Sequence, residues 1–436
     1  MLENEIERKI EDFKELGIPN FIPRKSRLNF VENMVSTVIG ARRSGKSYRV
    51  LQAAHESIEE KKIESINNIC LMDFDNPILS GMKACDLKLI QSTFLKLNEN
   101  FEMKTPLLFI LDEIHKINGW EEYVIDLSKN YNWRVIVTGS SSKLMKQDIA
   151  TELRGKAIST DIFPLCFKEF LEFKQFNHKP ASTKGLAEIR RLFDEYMKWG
   201  AFPAVVNLDE YTKEILLREY FDTMLLKDII QRFNVSQPQQ CTYLYQYLLS
   251  NISKGHTIKS MHGYLKQCGF RSSRTLIRDM IKWAVDSWLL FSIPIFSDSH
   301  KEQERNYKKI YCIDWALATK NSSVWDGHFS RSLENIVFIH LYQNSYGVSY
   351  YLTRKNRGEV DFIATDNTGR PSSAIQVSMD ISQPDTLKRE LEPLVATAKY
   401  FNIKDNFILT YNKDFEFNEH GIKVKVMPVW KWMLEY

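Results

Sequence analysis

Residues 40–47 read GARRSGKS, two glycines bracketing four residues and followed at once by Lys and Ser. Glycine at positions 40 and 45 lets the backbone curl so that successive N–H groups face inward, a concavity suited to phosphate oxygens and obstructed by a Cβ at those positions. Lys46 brings a compact charge for β- and γ-phosphates, and the Ser47 hydroxyl is a ligand type for Mg²⁺. The octapeptide follows an apolar strand and opens a helix, YRVLQAAHESI, whose positive end points at the same anion. Gly40, Ala41, Arg42, Arg43, Ser44, Gly45, Lys46 and Ser47 are therefore the candidate phosphate-binding residues.

A carboxylate element lies downstream. The run LLFILDE, residues 107–113, is an apolar strand that delivers Asp112 and Glu113 to its C-terminal edge, where ligands of open α/β sheets bind. Asp112 suits a metal held through water. Its neighbour Glu113 suits the orientation and deprotonation of an attacking water, since phosphoryl transfer rests on positioning and charge stabilisation. RVIVTGSSS ends in Thr138, Ser140 and Ser141, hydroxyls able to sense a γ-phosphate, of which Ser140 is the expected sensor. In ELRGKA, Arg154 is a candidate arginine finger from a neighbouring subunit, its guanidinium stabilising charge that spreads in the transition state.

These residues need a scaffold, and the sequence supplies one. Between Met34 and Trp133, short β-branched runs alternate with helical stretches, the signature of a parallel α/β sheet. The expected strands are Val35–Ile39, Asn68–Met72, Leu107–Leu111 and Arg134–Val137, with a weaker fifth at Ala157–Ile162. From Phe167 to Arg232 the apolar period turns helical, suggesting a lid or second domain. Gln239 to Ile293 reads as helices broken by a turn at Gly269, a pattern like a winged helix-turn-helix. Beyond Ile310, strand-like runs (KIYCID, VSYYLT, VDFIAT, SAIQVS, NFILTY, IKVKVMPV) surround two helical stretches, giving a separate α/β unit that ends in a packed strand and helix, VMPVWKWMLEY.

At 436 residues the chain is too long for one core, and with 44% hydrophobic, 12% aromatic and 26% charged residues it is neither disordered nor collagen-like. A net charge of +4 excludes an overall nucleic-acid coat, so any basic patch is local. The six cysteines lie far apart with no metal-ligand spacing, which fits a reducing cytoplasm. No apolar run has the roughly 18 residues of a membrane helix, and the N-terminal MLENEIERKIEDFKEL reads as a charged amphipathic helix rather than a signal peptide. One basic patch stands out. Arg271, Arg274 and Arg278 fall at helical spacing among Lys259, Lys266 and Lys282, a stripe suited to a DNA major groove with Ser272 and Ser273 on phosphates, or to a protein partner.

Taken together, GARRSGKS, LLFILDEIHKINGW, VIVTGSSS, ELRGKA with FPLCFKEFLEF, KWGAFPAVV, YFDTMLLKDIIQR, SLENIVFIHL, GEVDFIA and AIQVS resemble P-loop ATPases of the AAA+ superfamily. The resemblance is to an archaeal and bacterial branch with a helical lid, a winged helix and a degenerate restriction-endonuclease-like C-terminal domain. It implies an α/β fold with domains at 1–165 (ATPase), 166–238 (lid), 239–305 (winged helix) and 306–436 (endonuclease-like). It further implies ATP at Gly40–Ser47, Mg²⁺ at Ser47 and Asp112, and catalytic, sensor and finger roles for Glu113, Ser140 and Arg154. One departure is visible: the family often has two glycines where this chain has Gly200 and Ala201.

The C-terminal unit lacks parts of a PD-(D/E)xK nuclease. Asp361 fits the first carboxylate, but Gln376 and Ser378 stand where a carboxylate and a lysine belong, leaving Glu334 as a further contributor. The expected function is a slow, regulatory ATP-hydrolysing switch coupled to DNA, a protein partner or a second copy. An ATP-controlled nuclease and a nucleotide-binding adaptor without turnover are the alternatives.

Overall fold

Strands covered by helices on both faces are apolar along their whole length, and the first sheet follows that rule. The structure, a computed structural model, describes residues 2–98, 101, 105–130, 133–139, 153, 155–179, 182–322, 328–345, 347–353 and 358–436. Two compact units result, Met1–Phe163 and Pro164–Tyr436.

In the first unit, β1 (Val35–Ile39), β2 (Ile69–Asp73), β3 (Leu108–Asp112), β4 (Arg134–Gly139) and β5 (Ala157–Asp161) form a wholly parallel sheet of order β2-β3-β4-β1-β5. The central β1 and β3 are buried at every residue, while the edge strand β5 is only half-buried. Each expected strand is present, most within a residue or two of its sequence bounds. The helix Lys46–Glu59 lies against the sheet through Val50, Ala53 and Ala54, fully buried residues that join Val38, Leu108, Ile110 and Ile136 in one core. The N-terminal segment forms the helix Leu2–Leu16, with Ile6, Ile10 and Phe13 buried against the helix Leu87–Lys96 and β2.

The second unit begins with helices Phe167–Phe173, Thr183–Trp199 and Glu210–Thr223, the last running into a π-helical stretch, Met224–Gln231. Gly200 ends the second of these at φ +74°, where a Cβ would overlap the Asp314 carboxylate. Only this glycine is required. Ala201 keeps its methyl buried and donates its N–H to the same carboxylate at 2.7 Å, which accounts for the Gly-Ala departure.

Helices Pro238–Ser250, Ile258–Gln267 and Arg274–Asp286 alternate with β6 (Gly255–His256), β7 (Leu290–Ile293) and β8 (Lys308–Cys312), an antiparallel sheet of order β6-β8-β7. Here one expectation needs correction. The run KIYCID heads no C-terminal sheet, because as β8 it is the central strand of this small one. Its side chains read as an ordinary strand, and pairing partners are not legible from periodicity.

The last sheet contains β9 (Gly347–Leu352), β10 (Glu359–Thr365), β11 (Pro371–Val377), β12 (Asp405–Thr410), β13 (Phe415–Glu419) and β14 (Ile422–Pro428), in the order β13-β14-β12-β11-β10-β9. Its middle pairs, β11 with β12 and β12 with β14, are parallel, and the outer pairs antiparallel. The helix Pro384–Phe401 covers one face over Ala374, Ile408, Val424 and Val426. His328–Asn344 and Val429–Glu435 cover the other, and Trp430 and Trp432 are buried as the expected packed terminus.

Candidate functional site

The loop after β1 has the conformation its glycines allow. Gly40 sits at φ +151° with its Cα so close to Ile162 that a Cβ would overlap the Ile162 carbonyl oxygen, and Gly45 opens the following helix at φ +99°. Arg43, between them, also takes a left-handed φ of +68°. Such curled backbone aims consecutive N–H groups into one cradle. Arg24 fixes the loop from behind: its guanidinium donates to the carbonyls of Ser44 (2.8 Å) and Phe163 (2.7 Å), and its backbone pairs with the Gln52 side chain. No sequence signal marks Arg24, which stands in a segment without periodicity.

Lys46 folds across the cradle. Its ammonium, 5% exposed, donates to the carbonyls of Gly40 (3.2 Å) and Ala41 (3.1 Å) and lies 3.8 Å from Glu113 Oε1. The β3 edge brings the carboxylates to it. Asp112 is buried, and burial raises its pKa above the usual carboxylate range against the opposing hydrogen bonds from Thr138 and Ser47. Thr138 thus has two roles: its hydroxyl donates to Asp112 and accepts the Glu113 N–H at 2.9 Å. Glu113 itself holds φ +56°, unusual for a side chain of its kind, and its Oε2 lies 3.2 Å from His115 Nδ1.

The structure brings Lys46 beside Glu113, and Ser47 beside Asp112. Among the described residues at the end of β4, the Thr138 hydroxyl is tied to the carboxylates, while Ser140, Ser141 and Arg154 lie outside the described residues. His115 is not legible in the sequence, because a lone histidine after a strand carries no spacing signal.

Comparison with known proteins fits this geometry. A family profile described as an AAA domain matches residues 32–171, and one described as a domain of unknown function, DUF8612, matches 190–324. The uncharacterized protein MJ1544 of Methanocaldococcus jannaschii is 30% identical over 429 residues, spanning 95% of this chain and 91% of that protein. This chain belongs to the same protein family as MJ1544. An uncharacterized protein of Haemophilus influenzae is 27% identical over 422 residues, covering 94% of this chain and 98% of its own. Among solved structures, a Walker-type ATPase of Pyrococcus abyssi aligns with 73% of this chain and 95% of its own at 14% identity and TM-score 0.43. The Orc1 protein of Aeropyrum pernix, solved in complex with DNA, aligns with 73% and 91% at 10% identity and TM-score 0.30.

Within this AAA domain the donor chemistry suits Mg²⁺. The Ser47 hydroxyl lies near enough to the Asp112 carboxylate to lower its pKa, two hard oxygen ligands beside the loop, and Mg²⁺ takes few protein ligands. Asp73, level with Asp112 on the neighbouring strand, also has its pKa raised, chiefly by burial.

In the second unit, the helix Arg274–Asp286 exposes Arg274, Arg278 and Lys282, with Arg271 just before it, while Ile277, Met280 and Ala284 face inward. The two serines expected on phosphates have other work. Ser273 caps this helix by accepting the Leu276 N–H, and Ser272 donates to Gln240 at 2.6 Å. Trp283 stacks on Phe233, consistent with packing rather than base stacking. At the C-terminal sheet, Gln376 is fully engaged: its carbonyl accepts the Asp361 N–H at 2.7 Å, and its amide donates to Glu390 (2.7 Å) and the Glu359 carbonyl (3.1 Å).

Among the described residues, no helix is long and apolar enough to cross a membrane.

Proposed function

We propose that this protein is an ATP-hydrolysing molecular switch whose slow turnover in the AAA domain is read by a partner of the second unit. The supporting observation is the convergence of Lys46, Ser47, Asp112 and Glu113 on one cradle. Backbone amides of 40–47 and the Lys46 ammonium hold the triphosphate, exchanging the loop carbonyls for phosphate oxygens. Mg²⁺, held by Ser47 and through water by Asp112, would neutralise phosphate charge. Glu113 orients the attacking water and takes its proton, and Thr138 holds Glu113 and Asp112 in register. Ser140 as sensor and Arg154 as a finger supplied in trans complete the proposal. None of the six cysteines forms a disulfide, which fits a reducing cytoplasm.

The partner we propose is DNA. The helix-strand-helix-helix-strand-helix-strand order of residues 238–312, with the short helix His300–Arg305 inserted between β7 and β8, fits a winged helix, and its third helix carries the exposed Arg274, Arg278 and Lys282, with Arg271 just before it. Phosphate release by the wild type and Glu113→Gln tests the enzymatic half. Equal rates would leave a nucleotide-binding adaptor. Fluorescence anisotropy with duplex DNA tests the other half. Affinity should fall steeply with salt, and Arg274→Ala with Arg278→Ala should weaken binding and flatten the salt slope by about one for each phosphate no longer neutralised. Unchanged binding would move the partner to protein.

A further inference from the structure

The side-chain cluster with the most unexplained charge lies where β8 meets the last sheet. Lys309 is 2% exposed, and its ammonium makes ion pairs with Glu334 (2.7 Å), Glu359 (2.9 Å) and Asp361 (3.1 Å). Two tyrosines of the same stretch close the shell, Tyr311 donating to Glu334 at 2.8 Å and Tyr307 to Glu359. Asp361 also accepts the Val377 N–H at 2.9 Å.

Three carboxylates around one ammonium leave a surplus of negative charge in a buried place. Burial pushes Glu334 up to about 7, the compensation expected where positive charge is short. Hard oxygens from a helix and a strand, converging on one point, are of the ligand type a divalent cation takes, and such an ion would balance their charge better than a monovalent one. Yet the point is taken by nitrogen at hydrogen-bond distances, wider than the roughly 2.0–2.6 Å of Mg²⁺ or Ca²⁺ to oxygen. Among the described residues no group of three or more His, Cys, Asp or Glu is arranged to hold a metal ion. Gln376 does not repair the set, because both ends of its amide are bound elsewhere.

We infer that Lys309 is the resident cation of this centre: its ammonium sits at the point on which Glu334, Glu359 and Asp361 converge. The unit therefore takes up no divalent cation there and cleaves no phosphodiester, and the same ammonium joins β8 to β10 and the helix His328–Asn344. The cation therefore comes from β8, a strand outside the sheet that carries Glu359 and Asp361.

The test is Mn²⁺ binding without nucleotide, read by electron paramagnetic resonance and by the shift in unfolding temperature. Lys309→Met should bind one Mn²⁺ per chain more than the wild type, at a midpoint at least about tenfold lower than any wild-type binding at this centre, and Mn²⁺ should raise its unfolding temperature. The wild type should gain no such stabilisation through Asp361 and should not nick plasmid DNA with Mg²⁺ or Mn²⁺. A folded Lys309→Met with no added Mn²⁺ site would overturn the inference, as would wild-type Mn²⁺ binding abolished by Asp361→Asn. Should Lys309→Met alone fail to fold, its combination with Glu334→Gln and Asp361→Asn, which removes the stranded charges, should fold; failure of that combination would equally overturn it.

Discussion

Glu113 combines a left-handed backbone, a carboxylate beside Lys46 and an N–H pinned by Thr138. A non-glycine residue in that region costs on the order of 1–2 kcal/mol, and such cost recurs where a side chain must be aimed. If Glu113 is the general base, Glu113→Gln should keep nucleotide affinity within about twofold while phosphate release falls by roughly 10²–10⁴-fold. Thr138 supports two groups at once. Thr138→Val takes one donor from the buried Asp112 and the acceptor from the Glu113 N–H, a loss of about 1–3 kcal/mol for a buried group left unsatisfied. Urea unfolding of the AAA domain should register that loss, and turnover should fall with it. A Thr138→Val protein as stable and as active as the wild type would assign the register of the two carboxylates to something else.

The elements that place these residues are largely legible, and the exceptions have physical causes. β2, β3 and β4 are mostly apolar runs and β1 is buried throughout, so their positions and α/β setting follow from composition, while the half-buried β5 is the weaker signal. The phosphate loop is spelled by glycines whose need is steric: Gly40→Ala should remove nucleotide binding, since the new Cβ meets the Ile162 carbonyl rather than open space. Arg24 is not legible because it works through backbone carbonyls, which any sequence presents alike. Arg24→Met should lower nucleotide affinity several-fold and leave the sheet folded, measurable by isothermal titration beside circular dichroism. Lys309 is hidden for a different reason. Its strand is evident, but periodicity does not say which sheet a strand joins, and the partners of its ammonium lie 25 to 52 positions away in sequence. Ser272 and Ser273 are legible as helix-start residues; Ser273 accepts the Leu276 N–H as a cap and Ser272 donates to Gln240.

At the scale of the whole molecule, the buried carboxylates set a pH dependence. Glu334 is raised from 4.5 to about 7, so between those values the folded chain keeps a proton that the unfolded chain releases. The contribution of this group to stability is therefore full below the lower value and is lost as pH rises through the upper one. Chemical unfolding of Glu334→Gln and wild type across that window should show a flatter slope for the variant; parallel slopes would place the titration elsewhere. The proposed function depends on an earlier step, the gripping of a triphosphate at residues 40–47. The most direct measurement is equilibrium binding of labelled ATP to wild type and to Lys46→Ala, with folding checked in parallel. Saturable wild-type binding, weakened at least about a hundredfold in Lys46→Ala as expected when a charge-assisted hydrogen bond of roughly 3 kcal/mol is removed, is the predicted result. Equal affinity in the two folded proteins, or no binding by either at millimolar ATP, would contradict it.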